Sequence, residues 1–250
     1  DGDLDASACG YASGLMTWFE NPGPKGWDNE WTRYIIDDKM PEARTVAVVD
    51  MNFDGKPDIL GASVGAEKVP ADVTDINQHV SYLAWYENPA NPKTDTWTKH
   101  IIDDTGRAQI QGHPADVDGD GDTDVVIAQG MRDTLLPPEL HVVVWYENVG
   151  EQGQGTEWMK HIVGPMPFAF EAIATDFDND GDVDIAASSW AKGDQVVWFE
   201  NGGNPRQEWT KHIVKEEWLA ANQIIAADLD GDGRVDLAGT SDDGSSRVRG

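Results

Sequence analysis

The chain has 250 residues, with 18 Lys and Arg against 46 Asp and Glu, a formal net charge of −28, and one cysteine, Cys9. That balance excludes the basic face that nucleic-acid partners require, and a single cysteine excludes an intrachain disulfide and a cysteine-based zinc site. The sequence has no run of 18 apolar residues, so membrane insertion is not expected.

Along the chain, three markers recur in fixed order. The chain opens on DGDLD (1–5), which fits the last five positions of an Asp-rich nonapeptide. That nonapeptide is complete at 50–58 (DMNFDGKPD), 116–124 (DVDGDGDTD), 176–184 (DFDNDGDVD) and 228–236 (DLDGDGRVD). A Trp-aromatic-Glu-Asn element begins at Trp18, Trp85, Trp145 and Trp198. A Trp-x-x-(His/Tyr)-Ile element follows it at Trp31, Trp97, Trp158 and Trp209. The ninth positions, Asp5, Asp58, Asp124, Asp184 and Asp236, are spaced by 53, 66, 60 and 52 residues. A recurring period of this size marks a repeat architecture.

Each unit reads as four short strands. One enters the Asp-rich loop (46–49, 224–227), one leaves it (58–63, 184–189), one ends on the Trp-aromatic pair (142–146, 195–199), and one carries Trp-x-x-His-Ile. Gly, Pro and Asn cluster between them, as at 21–24 and 201–205, and no long stretch has helical period. The expected fold is all-β: a β-propeller of four-stranded blades. The units are approximately 1–49, 50–115, 116–175 and 176–227, with a partial fifth at 228–250. Because the chain starts inside a loop and stops 14 residues after Asp236, it is expected to be part of a larger ring.

The nonapeptide has the chemistry of a hard-cation loop. Calcium takes six to eight oxygen ligands at roughly 2.3–2.6 Å. The candidate ligands are positions 1, 3, 5 and 9: Asp50, Asn52, Asp54 and Asp58; Asp116, Asp118, Asp120 and Asp124; Asp176, Asp178, Asp180 and Asp184; Asp228, Asp230, Asp232 and Asp236; and Asp1 and Asp5 of the partial copy. Position 6 is Gly in every copy, where a sharp turn favours positive φ. Without a cation these carboxylates repel one another. Several structural Ca2+ ions are therefore expected, and Mg2+, which demands tighter octahedral geometry, is disfavoured.

These loops, with their flanking Ile/Val-Ala strands, resemble FG-GAP or VCBS repeats, which build integrin-α-like β-propellers. The resemblance implies calcium at loop positions 1, 3, 5 and 9. The Phe-Gly-Gly-Ala-Pro signature is absent, which places the likeness nearer the VCBS branch. The two Trp elements also resemble, more weakly, the propeller portion of fungal aldos-2-ulose dehydratase.

Beyond metal, Trp18, Trp85, Trp145 and Trp198 are expected to pack between units, with their Glu-Asn partners capping turns. Function is sought where the copies differ. His113 stands three residues before Asp116, where the other copies have Ala47, Ile173 and Ile225. If the entering strand is innermost, Arg44, Gln111, His113, Glu171 and Gln223 line one end of a central channel as a ligand site. Two long loops add Lys68, Asp72, Asp75 and His79 (61–80) and Arg132, Asp133 and His141 (129–141). Trp27, Trp190 and Trp218 stand outside the repeat and suit sugar stacking. The sequence therefore points to an extracellular or cell-surface, calcium-stabilised module that binds a glycan or an extracellular protein. The alternative is a carbohydrate lyase or dehydratase with His113 or His141 as base and Arg44 or Arg132 on a carboxylate.

Overall fold

The computed structural model describes residues 2–26, 29–65, 81–105, 108–130, 137–191 and 193–242. Asp1, Trp27, Lys68, Asp72, Asp75, His79, Arg132 and Asp133 lie outside the described residues. The chain is all-β: the described residues form 17 strands and one short 3-10 turn at Pro138–Leu140. It divides into two compact units, one of Asp1–Gln109 and Gly150–Glu157, the other of Ile110–Val149 and Trp158–Gly250.

In the first unit, β1 (Ala6–Gly10), β2 (Leu15–Glu20) and β3 (Thr32–Asp37) form an antiparallel sheet in chain order. So do β4 (Ala43–Val49), β5 (Asp58–Ser63), β6 (Tyr82–Glu87) and β7 (Thr98–Asp103). The second unit holds β8 (Gln109–Ala115), β9 (Asp124–Gln129), β10 (Val142–Asn148) and β11 (Trp158–Pro165), then β12 (Ala169–Thr175), β13 (Asp184–Ser189), β14 (Gln195–Glu200) and β15 (Thr210–Glu216). These are two antiparallel meanders joined through their first strands by one parallel bridge, Glu171 opposite Gln111. The hairpin of β16 (Ala221–Ala227) and β17 (Asp236–Ser241) completes the unit.

Each meander maps onto the sequence markers. The strand entering the Asp-rich loop comes first, the leaving strand second, the Trp-aromatic strand third and the Trp-x-x-His-Ile strand fourth. The leaving strands β5, β9 and β13 are buried at all six residues, which matches their short, uninterrupted runs of small and apolar side chains. The fourth strands are largely exposed, and Ile35, Ile101, Ile162 and Ile213 stand 40–67% open. Each unit has its own apolar core. In the first, Met16, Trp18, Met40, Ile59, Tyr86 and Trp97 pack together. In the second, Ile173, Ala186, Val196, Ala221 and Ile224 do so, with Trp218 against them.

The entering strands begin earlier than their apolar pattern indicates, at Ala43 rather than 46 and at Ala221 rather than 224. Register shifts between Ala43 and Thr45 and between Ala221 and Ile224 account for this. A bulge adds a residue and breaks the inside/outside alternation by which a strand is recognised.

Gly112 of β8 is a point where the sheet admits no side chain. A Cβ there would sit 2.7 Å from Ile127 Cα and close upon the Val126 carbonyl, both backbone atoms that cannot rotate away. Gly112→Ala is expected to lower unfolding stability by about 1–3 kcal/mol, read as a lower urea midpoint with unchanged slope. An unchanged midpoint would contradict this packing.

Candidate metal centre

The four complete loops share one hydrogen-bond plan. The position-6 glycine N–H donates to Oδ2 of position 1: Gly55 to Asp50 at 2.9 Å, Gly121 to Asp116 at 3.1 Å, Gly181 to Asp176 at 3.1 Å and Gly233 to Asp228 at 2.9 Å. The N–H of position 5 donates to Oδ1 of position 3 at 3.1–3.2 Å. The N–H of position 7 donates to Oδ1 of position 5 at 2.9 Å. Successive Asx turns thus wrap the chain around its own carboxylates.

These turns need left-handed backbone twice. Position 6 lies at φ 83–98°, as the sequence pattern implies. Position 4 is left-handed too: Gly119 and Gly231, but also Asn179 at 61° and Phe53 at 55°. Sequence reading missed this second requirement because only two of the four copies answer it with glycine.

Position 9 does different work. Asp58, Asp124 and Asp184 are 0–1% exposed. In each, Oδ2 accepts the N–H of position 2 (Met51 at 3.1 Å, Val117 and Phe177 at 3.0 Å). Oδ1 accepts the N–H of the Asn closing the Trp-aromatic-Glu-Asn element: Asn88, Asn148 and Asn201, each at 2.8 Å. Asp5 binds Asn21 N–H at 2.8 Å in the same way. One carboxylate thereby ties the loop to the end of the third strand. Burial pushes these acids up, Asp124 to about 7 and Asp184 to about 6, and raises Asp58; the two backbone donors oppose this only in part.

Positions 1, 3 and 9 converge. In Asp116/Asp118/Asp124, Asp176/Asp178/Asp184 and Asp228/Asp230/Asp236, one oxygen from each residue lies within 4.8 Å of the others. Two ligands on opposite sides of one calcium ion are separated by about twice a 2.4 Å bond, so the spacing and the all-oxygen donor set fit that ion. Position 5 stands apart from the three clusters. Asp54 instead pairs with Lys56 at 2.5 Å and Asp232 with Arg234 at 2.5 Å. The 50–58 loop has Asn52 at position 3 and so presents fewer carboxylates.

The Trp elements form a cross-strand ladder within each sheet, and two of them also pack against the following repeat as expected: Trp18 joins Ile59, Tyr86 and Trp97 in one core, and Trp85 Nε1–H donates to the Gly155 carbonyl at 2.7 Å. Trp18 stacks on Tyr34, Trp85 on His100, Trp145 on His161 and Trp198 on His212, with centroids 4.1–4.5 Å apart. The Glu two residues after each Trp holds the stacked ring: His100 to Glu87 at 3.0 Å, His161 to Glu147 and His212 to Glu200 at 2.6 Å. Tyr34 donates its hydroxyl to Glu20 at 3.0 Å, which explains why Tyr replaces His there.

The remaining candidates fall in both units. Arg44 lies in the first unit with its guanidinium 4.8 Å from the Tyr11 ring centroid. The second unit brings His113, Glu171 and Gln111 together. His113 Nε2 is 3.1 Å from Glu171 Oε1, Glu171 Oε2 accepts the Ile224 N–H at 2.6 Å, and Gln111 faces Glu171 across the parallel bridge. Gln223 is exposed next to Ile224. His141 is not available as a base. It is 2% exposed, its Nδ1 accepts the Phe168 N–H at 3.2 Å, and its ring sits edge-on to Phe168. Trp190 and Trp218 are half-buried against Phe170 and the second core. No described helix is long and apolar enough to cross a membrane.

The double role of position 9 has a direct consequence. Asp184→Ala strands two buried N–H donors and is expected to cost about 2–4 kcal/mol even under chelation. Asp180→Ala removes no buried contact and is expected to matter only when metal is present. Chemical unfolding of both variants with and without chelator distinguishes them. Equal costs under chelation would refute the distinction.

Residues 116–187 and 176–239 each match the family model described as an FG-GAP-like repeat. Each match runs from one Asp-rich loop through the next loop and into the strand leaving it. No curated protein matches the chain. The nonapeptide loops, the strands they join and these matches agree: across residues 116–239 the chain is built of repeats of the FG-GAP family.

Proposed function

We propose that this chain is an extracellular β-propeller-type binding module whose Asp-rich loops each hold a structural calcium ion, and whose ligand is a glycan or another extracellular protein. The observation that carries the reading is the convergence of positions 1, 3 and 9 in three loops, at spacings that suit calcium, within FG-GAP-like repeats. Position 5 supplies a further carboxylate in each complete loop. Calcium contributes neutralisation and cross-linking. It offsets the repulsion among clustered acids in a chain of net charge −28 and fixes the turn between the strand entering the loop and the strand leaving it. FG-GAP repeats are typical of extracellular proteins, where free calcium is plentiful.

A second reading, a carbohydrate-active lyase or dehydratase, is favoured by His113 alone. A buried carboxylate holds one ring nitrogen, and Nδ1 has no partner among the described residues. This is the geometry in which a histidine is oriented to exchange a proton. Ultraviolet absorbance of unsaturated sugar products, with the wild type and His113→Ala, separates the readings. A binding module yields no product with either protein. Calcium-dependent retention on a glycan array identifies a glycan ligand.

Calcium is expected to stabilise the fold by about 2.7 kcal/mol per site at free calcium a hundredfold above Kd. For a chain of this size that is a melting-temperature rise of about 5–10 °C per site relative to chelator. No rise would refute the calcium reading.

The gain depends on pH. Asp124 and Asp184 titrate above their ordinary value of 3.8 when metal is absent. Their contribution to metal-free stability is therefore fully present below about pH 4 and is lost as pH rises through about 6 to 7. Calcium requires the ionised form and displaces the proton. The calcium-induced shift is thus expected to be larger near pH 7.5 than near pH 5. A pH-independent shift, measured by calorimetry, would contradict this linkage.

A further inference from the structure

The loops at 116–124 and 176–184 are alike in sequence but not in their surroundings. Arg206, in the connection between β14 and β15, reaches the first of them. Its Nη2 donates to Asp118 Oδ2 and to Glu147 Oε1, and its Nε donates to Glu147 Oε1 at 3.2 Å. Its N–H is fixed by Asn204 Oδ1 at 3.1 Å, and its guanidinium lies 5.9 Å from the Trp145 ring centroid. Glu147 is itself 6% exposed and also holds His161. Asp118 Oδ1 is already engaged by the Asp120 N–H, so Arg206 occupies the oxygen that the loop leaves open.

The 176–184 loop has no such cation. Asp178 occupies the same position, with Glu200 where the other loop has Glu147. Among the described residues no lysine or arginine pairs with either, and Glu200 contacts His212 alone. The two loops thus offer nearly the same donors with different local charge.

We propose that Arg206 is a built-in counter-cation that lowers the calcium affinity of the 116–124 loop, so that the 176–184 loop fills first and the two loops load at separate calcium concentrations. This rests on the calcium reading of the loops. A guanidinium on a candidate ligand opposes calcium twice: its positive charge repels the incoming ion, and its hydrogen bond draws electron density from the carboxylate. The same contact neutralises Asp118 and Glu147 when the loop holds no metal, so the loop stays ordered at low calcium.

The test follows both loops at once in the full chain. Gly121 and Gly181 each donate an N–H to position 1 of their own loop, so their amide signals in a two-dimensional NMR titration with calcium chloride report each site separately. In the wild type, the Gly181 signal is expected to saturate at calcium about tenfold lower than the Gly121 signal, the ratio that one charge-assisted contact represents. Arg206→Gln should move the Gly121 midpoint down by about that factor and leave the Gly181 midpoint where it was. Arg206→Lys keeps the charge and should stay near the wild type. The proposal is overturned if Arg206→Gln leaves the Gly121 midpoint unchanged. It is also overturned if that midpoint rises, which would make Arg206 a positioning residue that presents Asp118 to the metal. If neither glycine responds to calcium in the wild type, the calcium reading itself fails, and this proposal with it.

Discussion

The loops at 50–58, 116–124 and 176–184 each turn on one buried carboxylate with both oxygens committed to backbone amides. The ninth-position aspartate receives one N–H from the start of its loop and one from the end of the third strand, across 17 to 30 residues of chain. Two segments that share no direct pairing are thereby fixed relative to each other. The leaving strand, which begins at this residue, can then be buried along its whole length. Apolar burial stabilises the sheet, but the carboxylate sets where the loop closes against it. A hydrophobic residue of equal size could fill the space and would leave two buried donors unpaired.

This arrangement also creates the electrostatic problem that the loop must answer. A carboxylate removed from water resists ionisation, as the raised values of Asp124 and Asp184 show. Around it stand the carboxylates of positions 1 and 3. The Asx turns place N–H dipoles on each of these groups, which softens the repulsion without removing it. A divalent cation among them changes the balance, because it favours the ionised form that burial opposes. A cation held there would be coupled to the fold through the same carboxylates, and for this reason the loop cannot be regarded as a decoration on a finished sheet.

Much of this was legible in the sequence, for a physical reason that varies by element. The strands at Asp58–Ser63 and Asp184–Ser189 could be read to the residue because a carboxylate and a turn bound them on one side and small residues fill them throughout. The entering strands were read short because a bulge breaks alternation before Thr45 and Ile224. The stacking of Trp on His depends on cross-strand register, which turn lengths set and no local pattern reveals. His141 ends a long irregular stretch whose sequence gives no sign of its burial, yet the Phe168 backbone and ring pack against it. Arg206 stands 88 residues from Asp118, and nothing in its neighbourhood announces a partner.

The pattern of variation among copies separates two tasks within one short motif. Position 9 and the position-6 glycine do not vary, and both serve the closing of the turn. Charge varies around them. Lys56 and Arg234 follow position 5 in two loops, Asp122 and Asp182 take that place in the others, and a distant arginine reaches a third-position aspartate in one. A substitution at position 9 would break the hydrogen bonds that define the sheet. A nearby cation leaves them intact and alters only the field felt by an ion. Repeats of this kind can therefore keep one fold while the charge around each copy varies, since the groups that hold the turn and the charged residues beside it are different.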